Sequence, residues 1–474
     1  MIFALVYLTL CPAAILYALG YSWDSGQPFH IVKTGLIYLV SAPSGAAVRL
    51  DGRDLGRTTP ALLSNLAPGD HAVELQLEGR RVWRETAPVE AEKATVFQKV
   101  LLLPGEWRPA RLPGGPWDDL YSIGDGEGCL LVRSTPAFEM RYFDLRKEKS
   151  FEITAPFGLS ARLVSVRTAP ESSRALLEIE KEGKTSWYGL RTGPEDATLE
   201  DWTEFIGEGP AEIEWEGNDG ALFVWRAGAL SRVQPERRQA EKLPLESVHG
   251  FGLRGRALYY LDAKGALTSV NGEGGSPHVL FNDPELGEAL FGETDLFHIR
   301  FLDKETVLFW DRNGELLSNR LPYRFVKEGV EGFEWESKNR KLLIRQKGRL
   351  GIVDLARREA PQGLFERGAS LVWIYRGDRI RQAHWVYDGS HILLLDDHRL
   401  RLIDLETYGR PGIDEVAEVK RNTSCLWSEK TGKLHYLDPA GNLEVLDLVP
   451  SRGLLELPFI DQRRTKSKGE IRAL

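Results

Sequence analysis

The chain has 474 residues, a hydrophobic fraction of 42% and a formal net charge of -8. That is enough for two or three domains with sizeable cores, too apolar for a disordered chain, and too acidic to offer nucleic acid a basic face. Its three cysteines, Cys11, Cys129 and Cys425, cannot build a disulfide framework and lack metal-ligand spacing; Cys129 and Cys425 could pair only if the first and last modules of the large domain were neighbours.

Residues 1–23 carry no charged side chain, and at about 1.5 Å of helical rise per residue they just cross a hydrocarbon core of about 30 Å. The segment therefore reads as a single-pass transmembrane anchor. Pro12 is tolerated in a spanning helix, and Tyr7, Tyr17, Tyr21 and Trp23 suit the interfaces, the last two at the outer boundary. A cleaved signal peptide would need a basic start, which is absent, although Ala18-Leu19-Gly20 passes as a cleavage site. Lipid attachment at Cys11 would want a small residue in place of Leu10. With no Lys or Arg before the segment and Lys33 the first after it, charge does not set the orientation. Residues 24–34 read as a spacer.

From Pro43 to Trp83 the chain is punctuated by turn formers: Pro43-Ser44-Gly45, Asp51-Gly52, Gly56, Pro60, Pro68-Gly69-Asp70 and Gly79. Between them Val73, Leu75 and Leu77 alternate with Glu74, Gln76 and Glu78, the period of antiparallel strands with one wet face. The pattern resembles the PEGA domain, a small β-sandwich of envelope proteins named for its Pro-Glu-Gly-Ala turn, here Pro43-Ser44-Gly45-Ala46. The resemblance covers residues 35–104. It implies an extracytoplasmic, envelope location and a binding or spacer role without catalysis, and it is what places the bulk of the chain outside the cytoplasm.

Residues 105–120, rich in Pro and Gly, read as a linker. From 121 to 460 one motif repeats: an apolar run, a tight polar or glycine turn, and a second apolar run. The first runs are 129–132, 175–179, 221–225, 257–261, 307–310, 342–344, 392–395 and 434–437. Eight hairpins in roughly 340 residues give a period of about 42, the length of a four-stranded propeller blade. The expectation is an all-β chain whose large domain is a propeller of seven or eight blades, rather than a stack of β-sandwiches. Ahead of several hairpins a tryptophan precedes a turn residue: Trp215 before Gly220, Trp335 before Asn339, Trp385 before Asp388-Gly389, and Trp427 before Gly432. This resembles the tryptophan and Asp-Gly turn of TolB-type and WD-repeat propellers, without the full signature of either. Such tryptophans read as packing between blades, with sugar stacking as the competing role. Residues 461–474, with Arg463, Arg464, Lys466, Lys468 and Arg472, read as a basic flexible tail.

Chemistry is sparse. There is no G-x-S-x-G elbow, H-E-x-x-H, C-x-x-C or P-loop. The densest titratable cluster, His384, Asp388, His391, Asp396, Asp397 and His398, falls on the two turns flanking one strand, where Asp caps the backbone and the histidines lie a strand length apart. Asn271-Gly-Glu-Gly-Gly275 reads as an interblade connection, with no helix after it. The acidic pairs Asp118-Asp119, Glu293 with Asp295, and Asp125 with Glu127 could serve a propeller glycosidase only if two carboxylates met across a channel. The sequence thus assigns no catalytic, cofactor or metal residue. It points to a non-catalytic, membrane-anchored scaffold of the cell envelope whose propeller recognises a protein or polysaccharide. The alternative is an extracytoplasmic propeller enzyme acting on glycans; a transmembrane sensor would lack a cytoplasmic receiver.

Overall fold

The computed structural model describes residues 10–11, 21–23, 31–124, 126–134, 138–154, 161–170, 172–193, 196–209, 211–217, 220–290, 296–320, 323–356 and 371–450. No helix among them is long and apolar enough to cross a membrane, and the expected anchor (1–9 and 12–20) and basic tail fall outside them. Tyr21–Trp23 pairs antiparallel with Ile31–Lys33. The expected helix therefore does not reach Trp23, and the expected spacer contributes a strand; the aromatic and β-branched residues of these two segments favour extended pairing.

Seven strands then build a sandwich. Gly35–Ala42 lies between Ala61–Leu66 and Ala94–Leu101 in one sheet; Arg53–Thr58, Ala47–Leu50, Gly69–Gln76 and Trp83–Val89 form the other. Alternate residues of both sheets, among them Ile37, Leu39, Val48, Val73, Leu75 and Phe97, fill one core. The turn formers sit where the chain reverses. Asp51 and Gly52 both have positive φ, 49° and 78°, as a two-residue hairpin turn with right-handed strand twist requires. The Asp51 carboxylate also accepts from the Ala72 amide at 2.9 Å and meets His71 Nδ1 at 2.8 Å. In the Pro43-to-Ala46 turn, the Gly45 amide donates to the Thr59 carbonyl at 2.9 Å and the fully buried Ala46 donates its amide to Thr59 Oγ1 at 3.0 Å. Gly56 is held by Asp54, Pro60 opens the turn into Ala61–Leu66, and Pro68 precedes the strand that Gly69 begins. The Gly79 carbonyl accepts from Gly105.

Beyond the sandwich, four-stranded antiparallel meanders follow one another. Six are separate sheets; the other two, Gly250–Asn282 and Phe297–Val326 in extent, merge because Gly250–Arg254 pairs parallel with Phe297–Phe301. Each of the eight apolar runs expected from the sequence forms the second strand of one such unit. The hydrophobic clusters join neighbours in a closed order. Tyr142 and Leu177 belong to the cluster between the first and second units, Trp202 and Val224 to the next, and the series continues to Leu426 and Leu443, which pack with Leu120, Cys129 and Phe143 and so return the last unit to the first. Each sheet buries both faces only because it has a neighbour on each side. This is a propeller-like, all-β architecture.

The last unit takes its fourth strand from far upstream. Ala110–Arg111 pairs with Leu443–Asp447, Leu112 donates its amide to the Leu443 carbonyl at 2.8 Å, and Trp117 donates to that of Gly441 at 2.8 Å. The expected linker is thus partly built into the ring, covering a sheet edge that would otherwise template foreign strands.

The sandwich docks on the seventh unit (strands Ile380–Val386, His391–Asp396, Arg399–Asp404 and Gly412–Glu418). Ala42, Leu101 and Leu103 join the cluster that holds Val386, Leu393 and Tyr436. Glu406 accepts the Gln98 and Lys99 amides at 3.0 and 3.2 Å, and the Tyr408 hydroxyl accepts the Val96 amide at 3.0 Å. These side chains satisfy the free edge of strand Ala94–Leu101. Lys99 Nζ donates to the Asp388 carbonyl at 2.6 Å, Trp83 Nε1 to Asp404 at 3.3 Å, and Arg81 pairs with Asp414 at 3.0 Å.

The parallel contact between two inner strands depends on two glycines. A Cβ on Gly252 would lie 2.2 Å from the Ile299 carbonyl oxygen, and one on Gly250 would lie 2.9 Å from that of Phe297. Backbone cannot yield as a flexible side chain can. Gly252→Ala is expected to destabilise the chain by about 1–3 kcal/mol in urea denaturation, whereas Gly409→Ala, with nothing within 4 Å of its added methyl, stays within about 0.5 kcal/mol of the parent.

Candidate functional site

Neighbouring first strands approach one another, and charged side chains on several of them pair between units. On Glu212–Trp215 the two glutamates share a face, as residues i and i+2 of a strand must. Glu212 pairs with Arg312 at 2.9 Å and lies 3.7 Å from Arg167 and 3.9 Å from His298; Glu214 pairs with Arg300 at 2.6 Å. The glutamates belong to the third unit and these partners to the second and fifth, so the pairs with Arg312 and Arg300 reach past the fourth. Burial holds the His298 imidazole below its ordinary pKa against the pull of the two glutamates. This cluster brings two carboxylates together on one strand face, and each is already engaged by arginine.

On the other side, a cavity of about 180 Å³ is lined in part by Glu334, Arg345, Arg381, Gln382 and His384. Glu334 accepts from the Trp385 amide at 3.1 Å and meets His384 Nδ1 at 2.9 Å. Gln382 exchanges two hydrogen bonds with the backbone of Cys425. Arg381 Nη1 is buried without a hydrogen-bond partner, and of the opposing charges acting on it the Asp119 carboxylate has the largest effect. A lone buried guanidinium nitrogen carries a desolvation cost.

The residues singled out in the sequence fall into separate local networks. Asp118 accepts from the Ser134 amide and pairs with Lys420 at 2.9 Å, and these hold its carboxyl below the usual range; burial pushes that of Asp119 up. Asp118 lies just before the strand that Asp119 begins, and the two carboxylates take different partners, Asp119 Oδ1 accepting from the Ser424 amide at 3.4 Å. Glu127 is bound to Arg146; Asp125, Glu293 and Asp295 lie outside the described residues. Asp388 pairs with Lys338, and Asp397 meets His398 at 2.6 Å and Arg421 at 3.3 Å. Asp396 is buried beneath a turn, accepting from the Asp378 and Arg379 amides and the Tyr375 hydroxyl. Asn271 Oδ1 caps its own loop through the Glu273 and Gly275 amides, and a strand, His278–Asn282, follows. Among the described residues no three His, Cys, Asp or Glu side chains gather to hold a metal. Cys129 and Cys425 do belong to adjoining units, yet both are free and buried, and burial pushes the Cys425 thiol up to about 12.

The four tryptophans occupy one register: Trp215 faces Leu222, Trp335 faces Leu342, Trp385 faces Ile392 and Trp427 faces Leu434. Trp215 and Trp385 are buried, and each indole donates to a carbonyl of the preceding unit, Arg167 at 2.9 Å and Glu334 at 3.2 Å. Trp335 and Trp427 are half-buried against the same kind of seam, with their indole N–H groups unpartnered.

Residues 34–102 form a PEGA domain, matching that family's model, two residues shorter at the far end than the sequence pattern implied. No curated protein matches the chain. Among solved structures it is similar to the β-propeller domain of Cps50 (Swd1) from Myceliophteria thermophila, at 10% identity over 72% of this chain and 99% of that one, with a TM-score of 0.36. Hsv2 of Kluyveromyces lactis matches at 9% identity over 64% of this chain and 98% of its own, with a TM-score of 0.39. The computationally designed Ika8 protein matches at 9% over 72% and 99%, with a TM-score of 0.45. The propeller-like assignment rests on the chain's own sheet order and the cycle of cores.

Two buried histidines of the last two units weaken the fold as pH falls. Burial pushes the His391 imidazole down to about 3 and that of His435 to about 4. The unfolded chain binds protons at both near pH 6.5 and the folded chain does not, so their stability is whole above pH 6.5 and lost as pH falls. The raised carboxyls of Asp404 and Glu406, both desolvated, act with the opposite sign, so substitution must isolate the effect. Between pH 6.5 and 5 the parent is expected to lose up to about 1.4 kcal/mol per pH unit more than a His435→Gln variant, which keeps His391, read from urea midpoints at several pH values.

Proposed function

We propose that the chain is a non-catalytic scaffold of the cell envelope, anchored in the membrane through its N-terminal segment, that holds a PEGA domain and an eight-bladed propeller outside the cytoplasm as a recognition surface. The observation that carries this reading is the state of the inward carboxylates. Glu212 and Glu214 are tied to Arg312 and Arg300 rather than standing free on either side of a space for a sugar, as an acid and a nucleophile or base must. The count of eight is supported by the eight meanders and their closed series of cores. The membrane anchor is supported by the uncharged stretch 1–23, and the extracytoplasmic location by the class of protein in which PEGA domains occur.

The test is protease treatment of intact cells carrying the full chain. The PEGA and propeller portions are expected to be cut from outside while an N-terminal fragment stays with the membrane. Protection until the cells are lysed would overturn the reading. Hydrolysis of a glycan by the purified chain, abolished in Glu212→Gln or Glu214→Gln, would replace it with the enzyme.

A further inference from the structure

In each unit the turn between the second and third strands shares a face of the ring with the connection to the next unit. The first-to-second turn and the third-to-fourth connection share the other face. The PEGA domain contacts Asp388, Glu406 and Tyr408, all of the second kind. On the opposite face, at the seam of the fifth and sixth units, lies an open groove of about 640 Å³ whose lining includes Lys347, Arg349, Arg376 and Glu328.

Three features set the groove apart. Arg349 and Arg376 stand directly opposite each other at the end of an antiparallel pair, an arrangement of like charges that costs stability. Among the described residues neither they nor Lys347 joins an ion pair, although Arg345 and Arg340 on the same unit pair with Glu331 and Asp303. Three cations against one carboxylate leave a net positive groove. Finally, beside the groove rather than in its lining, Trp373 has its ring centre 5.9 Å from the Arg349 guanidinium; it is 39% exposed and the one tryptophan among the exposed large apolar residues described. Trp373 lies over Gly351, where a Cβ would come 2.9 Å from its ring.

We propose that this groove binds an acidic glycan: the two guanidiniums and Lys347 take the carboxylates or other anionic substituents, and Trp373 takes the face of a sugar ring. The proposal rests on the scaffold reading and gives its recognition surface a place, on the face turned away from the PEGA domain. A charge pair that weakens the free fold is relieved when an anion bridges it.

The experiment titrates the detergent-solubilised full chain with hexagalacturonate, with neutral maltohexaose and with inorganic tripolyphosphate. Hexagalacturonate is expected to bind in a salt-sensitive manner and maltohexaose not to bind. The double variant Arg349→Glu/Arg376→Glu should lose about tenfold or more in affinity and Trp373→Ala about threefold. Arg376→Glu alone sets opposite charges across the strand pair, so it should melt no lower than the parent, which separates lost binding from lost folding. Undiminished binding by the double variant, or no hexagalacturonate binding by the parent, would overturn the proposal. So would tripolyphosphate binding the parent as tightly as hexagalacturonate does, with hexagalacturonate binding unchanged in Trp373→Ala. Any of these leaves the scaffold reading to the protease test, which does not depend on the groove.

Discussion

Every sheet of the large domain is apolar on both faces, and such a sheet is stable only between two others. That requirement, met by the seams from Leu177 and Tyr142 around to Leu426 and Leu120, forces the series to close on itself. Tryptophans bolt some seams. The indoles of Trp215 and Trp385 fill apolar volume and also satisfy a carbonyl of the neighbouring unit, so each contributes packing and a buried hydrogen bond at once.

Closure falls to the residues just after the PEGA domain. Because Ala110–Arg111 completes the last sheet, and Trp117 is buried with Cys129 and Leu437, the small domain cannot hang from a free tether. Its exposed strand edge is further capped by Glu406 and Tyr408. The sandwich and the ring are thereby fixed in relative orientation, which gives the ring a face that carries the sandwich and a face that does not. The inward charges fit the same economy: Glu212 and Glu214 with their arginines link units that are not sequence neighbours, and reactive chemistry would require those carboxylates to be released.

The turn chemistry of the PEGA domain was legible because it is local: Asp51-Gly52 fixes positive φ by its own residue types, and the alternation of Val73 and Leu75 with Glu74 and Gln76 spans one strand. The second strands of the repeating units were legible for the same reason, each being a short apolar run bounded by a turn. The closing strand was not. Two residues in a Pro- and Gly-rich stretch, paired with Leu443–Asp447 over three hundred positions away, carry no period of their own. The inward ion pairs were hidden likewise, since Arg312 and Glu212 are 100 residues apart, although Glu212-Ile213-Glu214-Trp215 does show two carboxylates on one strand face. Tyr21–Trp23 misled because aromatics suit both a membrane boundary and a strand. The groove at Arg349 and Arg376 depends on cross-strand register, which composition does not reveal.

The ring needs the segment after the PEGA domain as a working part, because Ala110–Arg111 completes its last sheet. Amide hydrogen exchange on the full chain tests it most directly at Leu112 and Trp117, whose N–H groups bond to the Leu443 and Gly441 carbonyls. If the ring closes through them, both exchange as slowly as the neighbouring strand Lys433–Leu437. Exchange at the speed of an open linker, with that strand still protected, would contradict it.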